Sequence, residues 1–300
     1  MYESFFGLRE RPFDLTSNPK FIYLSGCHLE ALSVLHYGIV GRKGITLVIG
    51  EAGTGKTMVI RTALAAVTQP NARCVYLSNP ALTRHEFYEF LATSFGLTRD
   101  AGGSKARFLL EFEPWLLQRH AAGQITALVI DEAQSLPLDL LEEVRLLANI
   151  ETLTEKLLSV VMAGQPEFAD RLDQLDLRHL KQRVALRADL LPLGQSQVAA
   201  YIAGRIRKAG GDPLAAFSKE AVMAICRRSR GIPRTISVIC DNAMLAAYSA
   251  GVKPVGPAII EEVARDFRLH DVGVSRSQPH APNRPQARSV LRRDAAEPQP

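Results

Sequence analysis

The chain has 300 residues, 47% of them hydrophobic and 22% charged, with a formal net charge of +5. This length suits one large or two modest domains at ~150 residues per domain, and the composition excludes wholesale disorder. The first dozen residues carry charges, and no window reaches ~18 consecutive apolar residues, so we expect neither a secretory signal nor a membrane span. Four scattered cysteines without a CxxC pair indicate neither a disulfide framework nor a zinc site.

Up to about residue 192, short apolar runs alternate with helical patterns. Strands are predicted at 45–49, 74–77, 125–131, 157–164 and 184–190. Helices are predicted between them, at 56–67, 83–95, 104–121 and 138–150. This alternation is typical of parallel βαβ units, so we predict an α/β domain over residues 1–192 with a parallel five-stranded sheet and helices on both faces.

The pattern changes after Pro192, where strand signals stop. Helices are predicted at 194–209, 218–229, 233–250 and 256–268, and together they form a small all-helical domain over residues 193–270. The last thirty residues, 271–300, contain 5 of the 17 prolines, five Arg, two Asp and one Glu. We predict that this Pro/Arg-rich tail is disordered, because it cannot bury enough apolar surface to offset its chain entropy.

A glycine-rich loop lies between the first predicted strand and the helix after it. The segment GEAGTGKT at 50–57 fits the pattern GxxxxGK[ST], in the strand–loop–helix context that this pattern requires. The backbone N–H groups of such a loop point at phosphate oxygens, so a nucleotide would contact the run Gly50, Glu51, Ala52, Gly53, Thr54, Gly55, Lys56, Thr57 and Met58. We expect Lys56 to reach the β- and γ-phosphates of ATP and Thr57 to bind Mg²⁺.

An acidic pair closes the third predicted strand, ITALVIDE. Asp131 ends the apolar run and is expected to hold the magnesium shell together with Thr57, while Glu132 is expected to orient the attacking water. A solvated strand-end pair is the alternative, but its position about 75 residues after a phosphate loop favours the catalytic interpretation.

Three further residues are candidates for contacts with the transferred phosphate. Gln165, after the fourth strand, would contact the γ-phosphate or the water, unless it is only a helix-capping residue. Arg183, with Arg178 and Arg187 as competitors, would be an arginine finger acting on a neighbouring chain, unless this segment is a solvated basic edge. Arg234, which follows Pro233 at the start of a helix, would close over the phosphates, unless it is a surface arginine.

The chain resembles the GspA/ExeA-type AAA+ ATPases of bacterial secretion and pilus systems. The resemblance rests on YESFFGLRERPFDLTSNPKFIYLSGCHLEAL at 2–32, followed in order by GEAGTGKT, LVIDEAQ, LLEEVRLLANIET, KLLSVVMAGQPEF, LKQRVALR and GIPRTISVICDNAM. It covers about residues 1–270. Met58 stands where this family usually carries a second Thr, and we expect its side chain to face the core.

The resemblance implies a P-loop ATPase with a helical lid that binds Mg²⁺ and ATP and assembles through its nucleotide site into a ring or filament. It also implies a role with partner proteins in building a secretion, pilus or exopolysaccharide system. By the same analogy, Phe13 and Tyr23 would contact the adenine. Secretion members continue into a transmembrane helix and a peptidoglycan-binding domain where this chain has its tail. We therefore expect a cytoplasmic protein, with any membrane association peripheral or through a partner.

Two alternatives stay open at this stage. Regulators of transposition of the TniB/TnsC type, which bind DNA in an ATP-dependent manner, resemble the chain more distantly. The mild positive charge fits them as well, although no recognition helix or basic stripe favours nucleic acid. A nucleotide-dependent switch with negligible turnover is the other alternative.

Overall fold

A computed structural model describes residues 1–15, 18–67 and 72–269. Its five strands form one parallel sheet in the order β2-β3-β4-β1-β5. The strands are β1 (Ile45–Gly50), β2 (Ala72–Leu77), β3 (Ile125–Ile130), β4 (Ser159–Gly164) and β5 (Val184–Leu190). The predicted parallel sheet is confirmed, and every strand lies within two residues of its expected bounds.

The helices connect the strands and then form the C-terminal part. Those of the first part are α1 (Glu3–Phe6), α2 (Gly26–Val40), α3 (Lys56–Val67), α4 (Arg84–Phe95), α5 (Lys105–Ala121), α6 (Leu138–Leu147), α7 (Pro166–Leu172) and α8 (Arg178–Lys181). Those of the second are α9 (Gln195–Lys208), α10 (Pro213–Ala216), α11 (Lys219–Ser229), α12 (Pro233–Ala250) and α13 (Pro257–Asp266). Short 3₁₀ turns occupy Pro19–Phe21, Arg99–Gly103, Ala133–Ser135 and Leu175–Leu177.

Helices cover both faces of the sheet, as predicted. Successive strand residues point to opposite faces, so Val48, Val129 and Val161 pack with α2 and α3, whereas Leu47 and Leu128 pack with α4, α5 and α6. The second face also buries the aromatic residues of α4 and α5. Phe87, Phe95, Phe108 and Phe112 are buried there, with Phe90 and Trp115 partly buried beside them. These aromatic residues therefore belong to the core.

A separate hydrophobic cluster joins the C-terminal helices to the N-terminal segment. Tyr2, Phe6, Leu8, Phe13 and Phe21 pack among the buried side chains of α9, α11, α12 and α13. The segment is also tied by backbone contacts, since the Arg9 N–H donates to the Ala209 carbonyl at 2.8 Å. Through these contacts the N-terminal segment packs against the C-terminal helices. The sequence-based division instead includes it in the α/β domain, residues 1–192.

The boundary near residue 192 between an α/β domain and a helical domain stays a proposal. The tail 271–300, predicted to be disordered, lies outside the described residues. Within residues 1–15, 18–67 and 72–269, no helix combines the length and apolar character needed to cross a membrane.

Candidate nucleotide site

The loop between β1 and α3 has the backbone that the glycine pattern requires. Gly53 and Gly55 have φ angles of +85° and +104°, values that residues bearing a Cβ rarely adopt. A Cβ on Gly53 would also lie 2.7 Å from the Cβ of Arg234, so the close approach of the lid, the helical part formed by α9 to α13, requires a glycine there. The loop therefore curls at the N-terminus of α3, where the helix dipole favours an anion.

Lys56 folds back over this loop. Its Nζ donates to the carbonyl oxygens of Gly50 at 2.8 Å and Glu51 at 3.2 Å. Burial lowers the pKa of Lys56, and the nearby carboxylates of Glu132 and Asp131 oppose that shift. An ammonium group held at the mouth of a phosphate loop by two carbonyl oxygens is suited to exchange one of them for a phosphate oxygen.

Asp131 lies buried at the end of β3, where three donors hold its carboxylate. The hydroxyl of Thr57 donates to Oδ2 at 2.6 Å, the phenol of Tyr76 donates to the same oxygen at 2.5 Å, and the backbone N–H of Glu132 donates to Oδ1 at 3.0 Å. The predicted pair of Thr57 and Asp131 is thus in direct contact. A hydroxyl oxygen beside a carboxylate is a hard donor set that suits Mg²⁺. Sequence reasoning missed Tyr76.

Glu132 is oriented by its backbone and by two amides. Its φ angle of +53° is left-handed, an uncommon conformation for a residue with a side chain. Its Oε2 accepts from Nε2 of Gln134 and from Nε2 of Gln165, the latter at 3.5 Å. The N–H of Gln165 in turn donates to Oε1 of Gln134 at 3.2 Å. Gln165 therefore lies beside Glu132, and Gln134 connects the two, a contact that the sequence motifs do not indicate.

Lys56, Thr57 and Glu132 open onto a cavity of about 730 Å³. The cavity is bounded by the phosphate loop, the first turns of α3, the side chain of Glu132, the N-terminal segment and the lid. Its lining residues include Gly53, Gly55, Lys56, Thr57, Met58, Arg61, Glu132, Asp14, Phe21, Ile22, Tyr201, Arg205 and Arg234. Its size suits a nucleotide, since pockets of ~300–1,000 Å³ enclose ligands of that size.

Arg234, the residue predicted to close over the phosphates, lines this cavity. Its N–H donates to the Gly53 carbonyl at 3.3 Å, and its exposed side chain lines the opening. Met58 is half-buried, packs against the core beneath α3 and also lines the cavity. Glu51 and Ala52 are exposed at the tip of the loop.

The expected adenine contacts are wrong for this structure. Phe13 is completely buried, with its ring 6.2 Å from that of Phe217, and Tyr23 packs edge-on against Tyr201 at 5.7 Å. Neither side chain lines the cavity, whereas Phe21 and Ile22 do. The N-terminal segment therefore forms one wall of the site. Phe21 and Ile22 face the opening, whereas Phe13 is packed into the hydrophobic core of the lid.

The arginine-finger candidates lie away from this site. Arg183 is exposed just before β5. Because β5 begins beside Ile45, the first residue of β1, Arg183 lies at the end of the sheet that is away from the phosphate loop. The seven residues of β5 separate the two edges by about 20 Å. Arg178 is exposed in α8, and Arg187 pairs with Asp189 at 2.9 Å. None of the three is brought to the chain's own cavity.

His28 supports the loop from α2. Its Nε2 lies 2.9 Å from the carbonyl oxygen of Thr54, and its Nδ1 accepts from the N–H of Ser25 at 3.3 Å and lies 2.5 Å from the Ser25 hydroxyl. The pattern fits a neutral imidazole with its proton on Nε2. Burial lowers the pKa of His28, and its contact with the Thr54 carbonyl opposes the shift.

This lowered pKa predicts a loss of stability in mild acid. The unfolded chain takes up a proton at this residue near pH ~6.5, whereas the folded chain resists it, so the free energy of unfolding should fall as the pH drops below ~6.5. The slope from this group should not exceed about 1.4 kcal/mol per pH unit. Urea unfolding at several pH values between 5 and 8 measures it, and His28→Gln should flatten the acid side. An equal slope in both chains would assign the pH dependence to other groups.

The sequence of this chain is similar to those of known proteins. A family model described as an AAA domain matches residues 40–172. General secretion pathway protein A of Aeromonas hydrophila is 42% identical over 253 residues, which are 84% of this chain and 46% of that protein. On these two matches the chain is similar to the GspA/ExeA-type AAA+ ATPases. It spans about half the length of that curated relative.

Solved structures that are similar to the chain share its fold. The ORC2 protein of Aeropyrum pernix superposes with a TM-score of 0.63 at 12% identity, over 86% of this chain and 71% of that one. A chain of the Drosophila ORC gives a TM-score of 0.63 at 20% identity, over 86% and 64%. At these identities the likeness concerns the fold alone, an α/β AAA+ sheet followed by a helical lid.

Proposed function

We propose that this chain binds and hydrolyses Mg²⁺-ATP at the cavity between the phosphate loop and the lid. The arrangement of Lys56, Thr57, Asp131 and Glu132 carries the proposal, because the start of α3 and the end of β3 bring them together beside the cavity. The ORC2 structure from Aeropyrum pernix is described as holding ADPNP and ADP, which supports a nucleotide here.

Each residue has a role in this proposal. Lys56 would exchange a carbonyl partner for a phosphate oxygen, and Thr57 and Asp131 would hold Mg²⁺, which would supply charge neutralisation at the phosphates. Glu132 would orient the attacking water, with Gln134 and Gln165 keeping its carboxylate in place. Arg234, which lies on the lid next to the loop, would bring positive charge to the phosphates.

Phosphate release from ATP by the purified chain tests this function. We expect release that requires Mg²⁺ and is lost in EDTA. A chain that binds ATP tightly but releases no phosphate, alone or assembled, would instead be a nucleotide-dependent switch.

We further propose that hydrolysis takes place between neighbouring chains of an oligomer, with Arg183 as the trans-acting arginine. Its exposure and its distance of about 20 Å from the chain's own loop support this, because the side chain spans less than that distance. A head-to-tail contact would bring the edge of one sheet that carries Arg183 to the cavity of the next chain.

Arg183→Ala is expected to lower assembly-dependent turnover by at least 10-fold, because one positive charge is lost beside the transferred phosphate. Arg178→Ala and Arg187→Ala serve as matched controls and should stay within about twofold of wild type. Phosphate release at a chain concentration that supports assembly is the measurement.

Mixing two inactive variants separates an action in trans from one in cis. Arg183→Ala chains keep an intact site, and Glu132→Gln chains keep an intact Arg183, so an equal mixture should recover about a quarter of the wild-type rate per chain. A mixture no more active than its components would contradict the trans assignment.

We propose that the ATPase serves assembly of a bacterial envelope system, as a cytoplasmic protein that reaches the membrane through partners. The 42% identity to a protein named for general secretion supports this proposal. Co-purification of the chain from its own cells with an envelope-system protein, dependent on ATP, would test it. Steeply salt-dependent binding to duplex DNA in place of such a partner would favour a transposition-type regulator.

A further inference from the structure

Tyr76 donates to the same carboxylate oxygen as Thr57, the proposed magnesium ligand. The phenol of Tyr76 and the hydroxyl of Thr57 donate to Oδ2 of Asp131 at 2.5 Å and 2.6 Å. Asp131 is only 4% exposed, and a buried carboxylate is costly unless donors satisfy it. Tyr76 therefore belongs to the set of groups that make a buried charge at this position acceptable.

The sheet places Tyr76 at Asp131 by register. Tyr76 pairs with Val129 in the parallel ladder, and the N–H of Asp131 continues the ladder by donating to the Leu77 carbonyl at 2.9 Å. Strand alternation turns Val75 and Leu77 into the core under α4, while Tyr76 points to the face covered by α3. The phenol thus reaches Asp131 from the side on which Thr57 lies.

The ring of Tyr76 is itself supported. The guanidinium of Arg61, one turn after Thr57 on α3, lies over it at 5.8 Å from the ring centre. A phenol keeps its proton at neutral pH, so Tyr76 stays a donor to Oδ2 of Asp131. One donor from α3 and one from β2 therefore restrict the rotation of the Asp131 carboxylate, and Arg61 packs over the ring that carries the second.

We propose that Tyr76 is a positioning residue that fixes Asp131 against the hydroxyl of Thr57, and so sets the affinity of the site for Mg²⁺. This inference rests on the proposed function. Without the phenol, Oδ2 keeps one mobile hydroxyl as its side-chain donor, and the carboxylate turns more freely about its last bond. The metal then has to order the carboxylate at the moment of binding, and its affinity falls.

Tyr76→Phe tests the role because it keeps the ring and removes only the hydroxyl. Tyr88→Phe is the matched control, since Tyr88 donates to the buried carboxylate of Glu143 at 2.5 Å, in the core formed with α4, α5 and α6. The readout is the affinity for a fluorescent ADP analogue measured twice, in EDTA and in saturating Mg²⁺. The ratio of the two affinities reports the metal, and the affinity in EDTA reports whether the loop is intact.

For Tyr76→Phe we expect the affinity in EDTA to stay within twofold of wild type and the tightening by Mg²⁺ to fall about 10-fold, as for the loss of one charge-assisted hydrogen bond. Tyr88→Phe should change neither. An unchanged tightening in Tyr76→Phe overturns the positioning role. Equal losses in EDTA and in Mg²⁺ also overturn it, because they indicate a structural role. A wild-type chain that binds no nucleotide overturns the proposed function itself.

Discussion

Glu132→Gln is expected to lower ATP turnover about 10³-fold while leaving ATP affinity within a few-fold of wild type. The amide keeps the shape of the side chain, but it cannot accept a proton from the attacking water. The left-handed backbone at this residue does not change, so the loss should lie in kcat and not in KM.

Glu167→Gln is the matched control for this change. Glu167 is exposed in the first turn of α7 and is close enough to influence the pKa of Lys56. Its replacement by Gln removes the same charge as Glu132→Gln but leaves the proposed water position unchanged. Its turnover should stay within about twofold of wild type. Comparable phosphate release by wild type and Glu132→Gln would refute the catalytic assignment.

Lys56→Met is expected to weaken ATP binding about 100-fold, because an ammonium group that would bind two phosphates is replaced by an apolar chain of similar length. The carbonyl groups of Gly50 and Glu51 also lose a donor, so we expect about 1 kcal/mol of destabilisation in the absence of nucleotide.

Thermal unfolding with and without ATP measures both effects. ATP at 100 times the wild-type Kd should stabilise the wild type by about 2.7 kcal/mol and Lys56→Met by well under 1 kcal/mol. Lys43→Ala, an exposed lysine just before β1, removes the same charge and should keep the full stabilisation. Equal stabilisation of all three chains by ATP would mean that nucleotide binds elsewhere.

Local patterns were enough to predict the sheet and the loop and strand end that form the candidate site. A run such as ITLVI is apolar throughout because a central parallel strand is buried on both faces, and the glycines after it require positive φ angles. The contact between Thr57 and Asp131 follows in the same way, since the ends of parallel strands and the starts of the following helices share one edge of the sheet.

Two elements were beyond such patterns. Helix α2, Gly26–Val40, carries a weak helical signal because it begins with glycine and its apolar residues surround much of its circumference. Its position on the α3 face is decided by packing, and that packing brings His28 to the phosphate loop. The aromatic N-terminal segment was assigned to the adenine, but the lid core takes up Phe13 and leaves Phe21 and Ile22 at the cavity.

The length, composition and motifs of the sequence by themselves determined an α/β chain with a phosphate loop, an acidic strand end and a helical second part. These features depend on the conformations of neighbouring residues, which a short window of sequence records. Only the tertiary structure decided that Tyr76 and Gln134 join the site, that Phe13 does not, and that Arg183 lies at the far edge of the sheet. These positions depend on strand register and on which part of the core a side chain packs into. Both are set by contacts between residues far apart in the chain.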